Sequence, residues 1–305
     1  MSTEYIYFTA GQKEAARQTD LVSLLQSQGE HLKRSGKEYV WRDGSEKVTV
    51  RGNLWFHQYE RIGGDAVDFV RRFYNMDFPQ AVNFLLGNNG GALPQAEPVK
   101  REPPKPFTLP PRNDNMRRVF AYLLNRRGID RDVLYAFVHK EMIYESADYH
   151  NAVFVGYDEN GIARHAHKRG TGSESTYKGN AESCDPRYSF HWTGTDNTLY
   201  LFEAPIDMLS FISLHKENWR SHSYAASCCV GDQVLFQMLK ANPNIDTVYL
   251  CMDNDTAGQA ANKRISDKLF IQGIKHEILV PEFKDWNEDL LCDEQEETEC
   301  QTLQL

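Results

Sequence analysis

Cysteine is scarce in this chain and poorly spaced for cross-linking. The 305 residues contain six, Cys184, Cys228, Cys229, Cys251, Cys292 and Cys300, and the first 183 residues contain none. No two form a C-x-x-C pair, which argues against a disulfide framework and against a Cys-based zinc site. They are expected as reduced thiols, with Cys229 and Cys251 suited to apolar packing. Long apolar runs are missing too. None approaches the roughly 20 residues that span a bilayer, and residues 1–8 lack the basic start and apolar stretch of a signal peptide. A cytoplasmic chain with no membrane partner is expected. Positive charge is in deficit: 34 Lys and Arg against 43 Asp and Glu leave a net −9. That sum weighs against a nucleic-acid partner, but its distribution does not. Residues 291–305 hold five acids and no base, so the rest nets only −4, and residues 97–140 hold ten bases against five acids.

The pattern along the chain divides it into five stretches. Residues 1–87 read as a small α+β unit. A helix is expected over 18–28, and short strands over 38–41, 47–51 and 53–56. A helix capped by Asp65 follows, and another starts near Pro79. Residues 88–111 carry seven prolines, which preclude a helix and favour an extended linker. Residues 112–195 read as a second α+β unit with a helix ending near Gly128, one capped by Asp130, and a hairpin pairing 152–155 with 162–166. Over 196–290 strands and helices alternate, which implies a mostly parallel sheet. The acidic tail, 291–305, is expected to be disordered.

Within 196–290, acids close apolar runs. Glu203 ends the run 197–202, and Asp253 and Asp255 end the run 246–252. In an open α/β sheet, ligands bind in the crevice at the carboxyl ends of strands. Acids converging there supply the oxygen ligands that suit Mg²⁺ and phosphate chemistry. Asp207, one helical turn after Glu203, can point back to the same place. A strand-end acid alone is as often a helix cap; three in this order weigh toward a metal site.

This region resembles a toprim domain, the metal-binding module of bacterial primases, topoisomerases and some nucleases. The carrying residues are Glu203, Gly231, and the pair Asp253 and Asp255. The resemblance implies that Glu203 is a metal ligand or general acid/base and that the aspartates are Mg²⁺ (or Mn²⁺) ligands. Primase-type members add acids matched by Asp207 and Asp285, with Asn287 in place of a second acid. Ala204 stands where the family has Gly. Upstream, Arg164, Lys168, Arg169, Tyr177, Lys178 and Asn180 resemble the basic segment that lines the template and nucleotide groove of primases, although Thr176 replaces the family Lys. His165 and His167 share a strand face and are expected at phosphate or at plain surface. Residues 1–87 resemble the primase zinc-binding domain through the segments 63–70 and 78–81, but every Cys ligand is missing, so no zinc is expected. Trp41, Trp55 and Phe56 stand there as core or as base-stacking residues. Arg126 and Arg127 read as a polar helix face, and Asp289 as a surface acid.

The expected fold is therefore α/β: a C-terminal toprim domain, preceded by a small α+β domain and a zinc-ribbon-like α+β domain without zinc ligands. The resemblance implies a Mg²⁺-dependent, primase-like nucleotidyltransferase of a bacterial mobile element. Its partners would be single-stranded DNA template, NTPs and a replicative helicase or relaxase. No helicase-docking domain is expected after Asp289. A toprim-type nuclease and a non-catalytic DNA-binding replication accessory are the alternatives. A topoisomerase is disfavoured, since no Tyr nucleophile is identifiable.

Overall fold

In the computed structural model the described residues are 8–43, 46–60, 62–87, 105–228 and 231–293. Most of the proline-rich stretch, Cys229 and nearly all of the acidic tail lie outside them. The chain divides into two compact units, Met1–Pro103 and Pro104–Leu305.

The first unit contains α1 (Ala10–Arg17) and α2 (Leu21–Ser27), then β1 (Leu32–Ser35), β2 (Glu38–Asp43), β3 (Glu46–Arg51), β4 (Leu54–His57) and β5 (Gly63–Gly64). The strands form an antiparallel sheet in sequence order, followed by α3 (Ala66–Phe73) and α4 (Phe78–Leu85). Asp65 caps α3 through the Val67 and Asp68 amides, and Asp77 caps α4. Trp41 and Trp55 are core: both rings lie 5.2 Å from that of Phe73, edge-on. Edge-to-face pairs of this kind add to burial. Phe56 stays 37% exposed. His57 is buried, and its Nδ1 accepts the Glu60 amide at 3.0 Å.

The second unit begins with α5 (Arg117–Phe120), which runs into a π-helical turn (Ala121–Arg126), and α6 (Arg131–His139), capped by Asp130. An antiparallel sheet follows, made of β6 (Ile143–Glu145), β7 (Ala152–Tyr157), β8 (Ala163–Arg169) and β9 (Lys178–Asn180) in that order. Residues 105–111 lie against it: Phe107 and Leu109 pack on its apolar cluster, and the Tyr144 hydroxyl donates to Pro110 O at 2.6 Å. Next come β10 (His191–Trp192), β11 (Thr198–Phe202), α7 (Pro205–Leu214), β12 (Ser223–Ala226), α8 (Gln233–Ala241), β13 (Thr247–Cys251), α9 (Thr256–Ile271), β14 (Lys275–Ile278) and α10 (286–293). The second sheet runs β10-β12-β11-β13-β14, parallel except for β10 at one edge.

Alternate residues of β11 serve opposite layers, as a period of two requires. Leu199 and Leu201 pack with α8 and α9, whereas Phe202 joins α7 and Trp286 on the other face. The second face shares one continuous core with α5, α6 and β7, so the antiparallel sheet and the parallel sheet are held together by common packing. Phe137 of α6 sits at that junction, with its ring 5.3 Å from Phe190, 5.2 Å from Trp192 and 5.7 Å from Trp219. Phe137 is fully buried. Phe137→Ala should therefore cost about 3–5 kcal/mol, read as a lowered denaturation midpoint; a loss under about 1 kcal/mol would contradict the shared core.

Candidate functional site: an acidic cavity at the strand ends

β11 and β13 pair in parallel with Phe202 opposite Cys251. Glu203 is one step beyond its strand end and Asp253 two, so the two backbones leave the sheet side by side. Each exit is pinned. Glu203 O accepts from the Cys228 amide at 3.0 Å and from Ser227 Oγ at 3.2 Å. The Asn254 amide donates to Lys284 O at 2.8 Å, and the Trp286 indole donates to Cys251 O at 3.0 Å. Gly258, in the first turn of α9, packs so closely that a Cβ would collide with the Asp253 carbonyl oxygen. Ala204 has φ −132° and ψ 159°, extended backbone that any residue adopts, so the missing glycine changes nothing locally.

A cavity of about 170 Å³ opens at these ends, lined by the carboxylates Glu203, Asp207, Asp253 and Asp285 and by the cations Arg127, Arg169, Lys178 and Lys284. Burial, then Glu203, Asp285 and Asp255, pushes the Asp253 carboxyl up to about 7, while Lys178 opposes it. Asp207, in the first turn of α7, is buried and raised well above the usual range, by burial first and then by Asp253, Asp285 and Glu203. Burial also raises Glu203, with Asp255 and Asp285 adding to it and Lys178 and Lys284 opposing. These mutual effects are the electrostatic signature of acids crowded into one site.

Two acids also cap helices. Asp255 Oδ1 accepts the Ala257 and Gly258 amides, both at 2.9 Å, and Asp285 Oδ1 accepts those of Asn287 and Glu288 at 3.1 and 2.9 Å. Asp255 lies outside the cavity lining but acts on Glu203 and Asp253 through charge. Asp289, half-buried, also has a local partner role: its two oxygens accept the Glu282 and Phe283 amides at 2.9 Å, fixing the loop before α10.

The basic residues separate into three groups. Arg169 and Lys178 face the acids, while their neighbours Lys168 and Tyr177 line a different cavity of about 610 Å³. Arg164 is bound to Asp158 at 2.7 Å on the hairpin turn and reaches neither. Asn180 donates to Cys228 O at 3.0 Å and accepts from His167 Nδ1 at 2.7 Å, which orders the cavity wall. Both His165 and His167 are buried, so the expected plain surface placement is corrected; burial pushes His167 down to about 4. Gly231 does not line the cavity, and its φ of 96° favours glycine.

Arg127, expected on a polar helix face, instead lines the acidic cavity, and Lys284, to which the sequence assigned no role, lines it too. Arg127 is brought in by the π-helical turn and held by Asn287, whose Oδ1 accepts its Nη1 at 2.9 Å and whose amide donates to its carbonyl at 2.7 Å. The Tyr122 hydroxyl oxygen accepts from Arg127 Nε at 3.0 Å and Arg169 Nε at 3.3 Å, orienting both guanidinium groups.

Two family models match the chain. One, described as Toprim-like, covers residues 200–290, and the other, a protein of unknown function (DUF3991), covers 121–196. Residues 200–290 form a Toprim-like domain. Over 274 residues the chain is 24% identical to the uncharacterized protein pXO2-78 of Bacillus anthracis, covering 85% of this chain and 79% of that one. Among solved structures it is similar to the zinc-binding and RNA polymerase domains of the Aquifex aeolicus primase, with TM-score 0.40 and 16% identity over 96% of this chain and 84% of that one. It is also similar to the primase fragment of the bacteriophage T7 primase-helicase protein, with TM-score 0.46 and 19% identity over 67% and 83%. No helix among the described residues is long and apolar enough to cross a membrane.

The donor set of the Toprim-like domain fits a hard divalent cation, since all its candidate ligands are carboxylate oxygens. Asp253 Oδ1 is buried and accepts no hydrogen bond, an oxygen that awaits a partner. As the side chains stand, no three His, Cys, Asp or Glu among the described residues form a group that could hold a metal ion. A cation would have to draw the carboxylates of this lining together.

The raised Asp253 carboxyl fixes a sign. Its protonated form is favoured in the folded chain, so its contribution to stability is present below pH 3.8 and is lost as pH rises through about 7. In chelator-containing buffer, Asp253→Asn should raise the melting temperature more at pH 8 than at pH 4. Equal shifts at the two pH values would contradict the crowding.

Proposed function

We propose that the chain is a primase-like nucleotidyltransferase acting on DNA, with its reaction centre in the acidic cavity of the Toprim-like domain. The observation that carries this reading is the meeting of four carboxylates with four cations at the ends of adjacent parallel strands. Glu203, Asp207, Asp253 and Asp285, with Asp255 beside them, would hold Mg²⁺ or Mn²⁺. Such an ion, when bound, neutralises phosphoryl oxygens and lowers the pKa of an attacking hydroxyl.

The chain's own side chains do the rest. Lys178 and Lys284 offer point charges for a triphosphate, and Arg169 offers a planar donor set held in orientation by Tyr122. The amino end of α7 has no side-chain cap and borders the same cavity, so its amides suit a phosphate oxygen. In the transfer, a 3′-hydroxyl oxygen bonds to the α-phosphorus, the bond to pyrophosphate breaks, and the Glu203 carboxylate takes the hydroxyl proton. Buried walls at Phe154, Ile206 and His167 limit water on one side. This reading also carries the mobile-element role and a helicase or relaxase partner, which rest on the sequence resemblance, and the cytoplasmic location, which rests on the apolar patterning of the sequence.

A metal-dependent nuclease would use the same carboxylates, and one assay separates the two. With single-stranded DNA, labelled NTPs and Mg²⁺ or Mn²⁺, the wild-type chain should yield short oligoribonucleotides. Asp253→Asn should lose at least about 100-fold while keeping its circular dichroism spectrum. DNA cleavage without incorporation would overturn the primase reading in favour of the nuclease, and wild-type synthesis by Asp253→Asn would remove the site.

A further inference from the structure

The second cavity, of about 610 Å³, is the larger of the two and has no part in the proposed chemistry. Its size falls within the range of small-ligand sites, about 300–1,000 Å³. It lies on the other side of the β8–β9 edge from the acids: Lys168 and Tyr177 line it, while the next residues, Arg169 and Lys178, line the acidic cavity. Strand alternation produces this division.

Its walls are tied together. Thr171 Oγ1 donates to His150 O at 2.8 Å, joining the loop before β7 to the loop after β8. The Arg126 guanidinium donates to Gly172 O and Ser173 O at 2.9 and 2.8 Å, and a Cβ at Gly170 would collide with Ser175 Oγ. On the rim, Tyr149 is 89% exposed, and Tyr149 and His150 both have positive φ, at 60° and 51°. Tyr177 is 46% exposed, with Lys168 Nζ 5.7 Å from its ring centre. Neither the Arg118 guanidinium nor the Lys168 ammonium has a carboxylate partner among the described residues, although the Arg118 backbone amide donates to Glu145 Oε2 at 3.1 Å, and the lone acid in the lining is Asp148. Exposed tyrosines beside cations that no carboxylate neutralises are the elements of a stacking site for a base and its phosphate.

We propose that this cavity binds one nucleotide unit, the base on Tyr149 and Tyr177 and the phosphate on Arg118 and Lys168. The unit comes from a single strand held alongside the acidic cavity or from a free nucleotide. The proposal rests on the nucleic-acid reading above but not on catalysis.

Fluorescence anisotropy of the full chain in chelator, with labelled oligothymidylate and separately with a labelled mononucleotide, tests it. Tyr149→Ala should weaken binding of one of these about tenfold, as loss of a stacking platform does; which one identifies the source. If the source is the strand, Arg118→Ala with Lys168→Ala should also lower the slope of log affinity against log salt by about 0.7, one phosphate contact's worth. Tyr149 projects into solvent, so its replacement does not threaten the fold. If both variants bind both probes as wild type does, or wild type binds neither, the cavity proposal is overturned. Tyr149-dependent binding without primer synthesis would leave it standing while the catalytic reading falls; synthesis with Tyr149-independent binding would do the reverse.

Discussion

The in-register parallel pairing of β11 with β13 is the constraint on which the rest depends. Because side chains alternate, a slip of β11 by one residue would send Leu199 and Leu201 to the wrong layer and carry Glu203 away from Asp253. The register is held from both faces, by α8 and α9 on one and by α7 and the α5–α6 layer on the other. Gly258 then lets α9 close onto the Asp253 backbone. Two acids distant in sequence are thus fixed at one edge by the packing of an apolar sheet.

That packing has an electrostatic cost. Asp207 is buried, Glu203 and Asp253 are partly so, and each is pushed toward its protonated form by burial and by the other acids. Lys178, Lys284 and Arg127 in the same lining oppose part of this, but Arg127 is already committed to Asn287 and Tyr122. An acid in place of Asn287 would pair with Arg127; the amide instead satisfies the Arg127 carbonyl and Ser210 Oγ. The result is a site whose carboxylates favour added positive charge, the condition under which a protein edge becomes a cation and phosphate site.

Much of this was legible in the sequence where local pattern and final structure agree. Apolar runs ended by acids announced β11 and β13, and Asp65 and Asp130 announced the helices they cap. The strand β1 was invisible because Leu32–Ser35 is mostly exposed and polar, and α1 because only Ala16 is buried. The π-helical turn had no legible signal in a single sequence, yet it separates Arg126, which braces the loop after β8, from Arg127, which enters the acidic cavity. The basic segment was recognisable as a group, but its division between two cavities depends on which face of β8 and β9 meets the Toprim-like domain. Asp255 and Asp285 show that cap and site readings need not compete, since one oxygen of each caps a helix.

The central claim is that acids from separate strand ends act as one divalent-cation site. Calorimetric titration of Mn²⁺ into the chain, without DNA or nucleotide, tests it most directly. Saturable binding by wild type that weakens at least about tenfold in Glu203→Gln is the predicted result. Equal Mn²⁺ affinity in the two proteins, or no saturable binding in either, would contradict it.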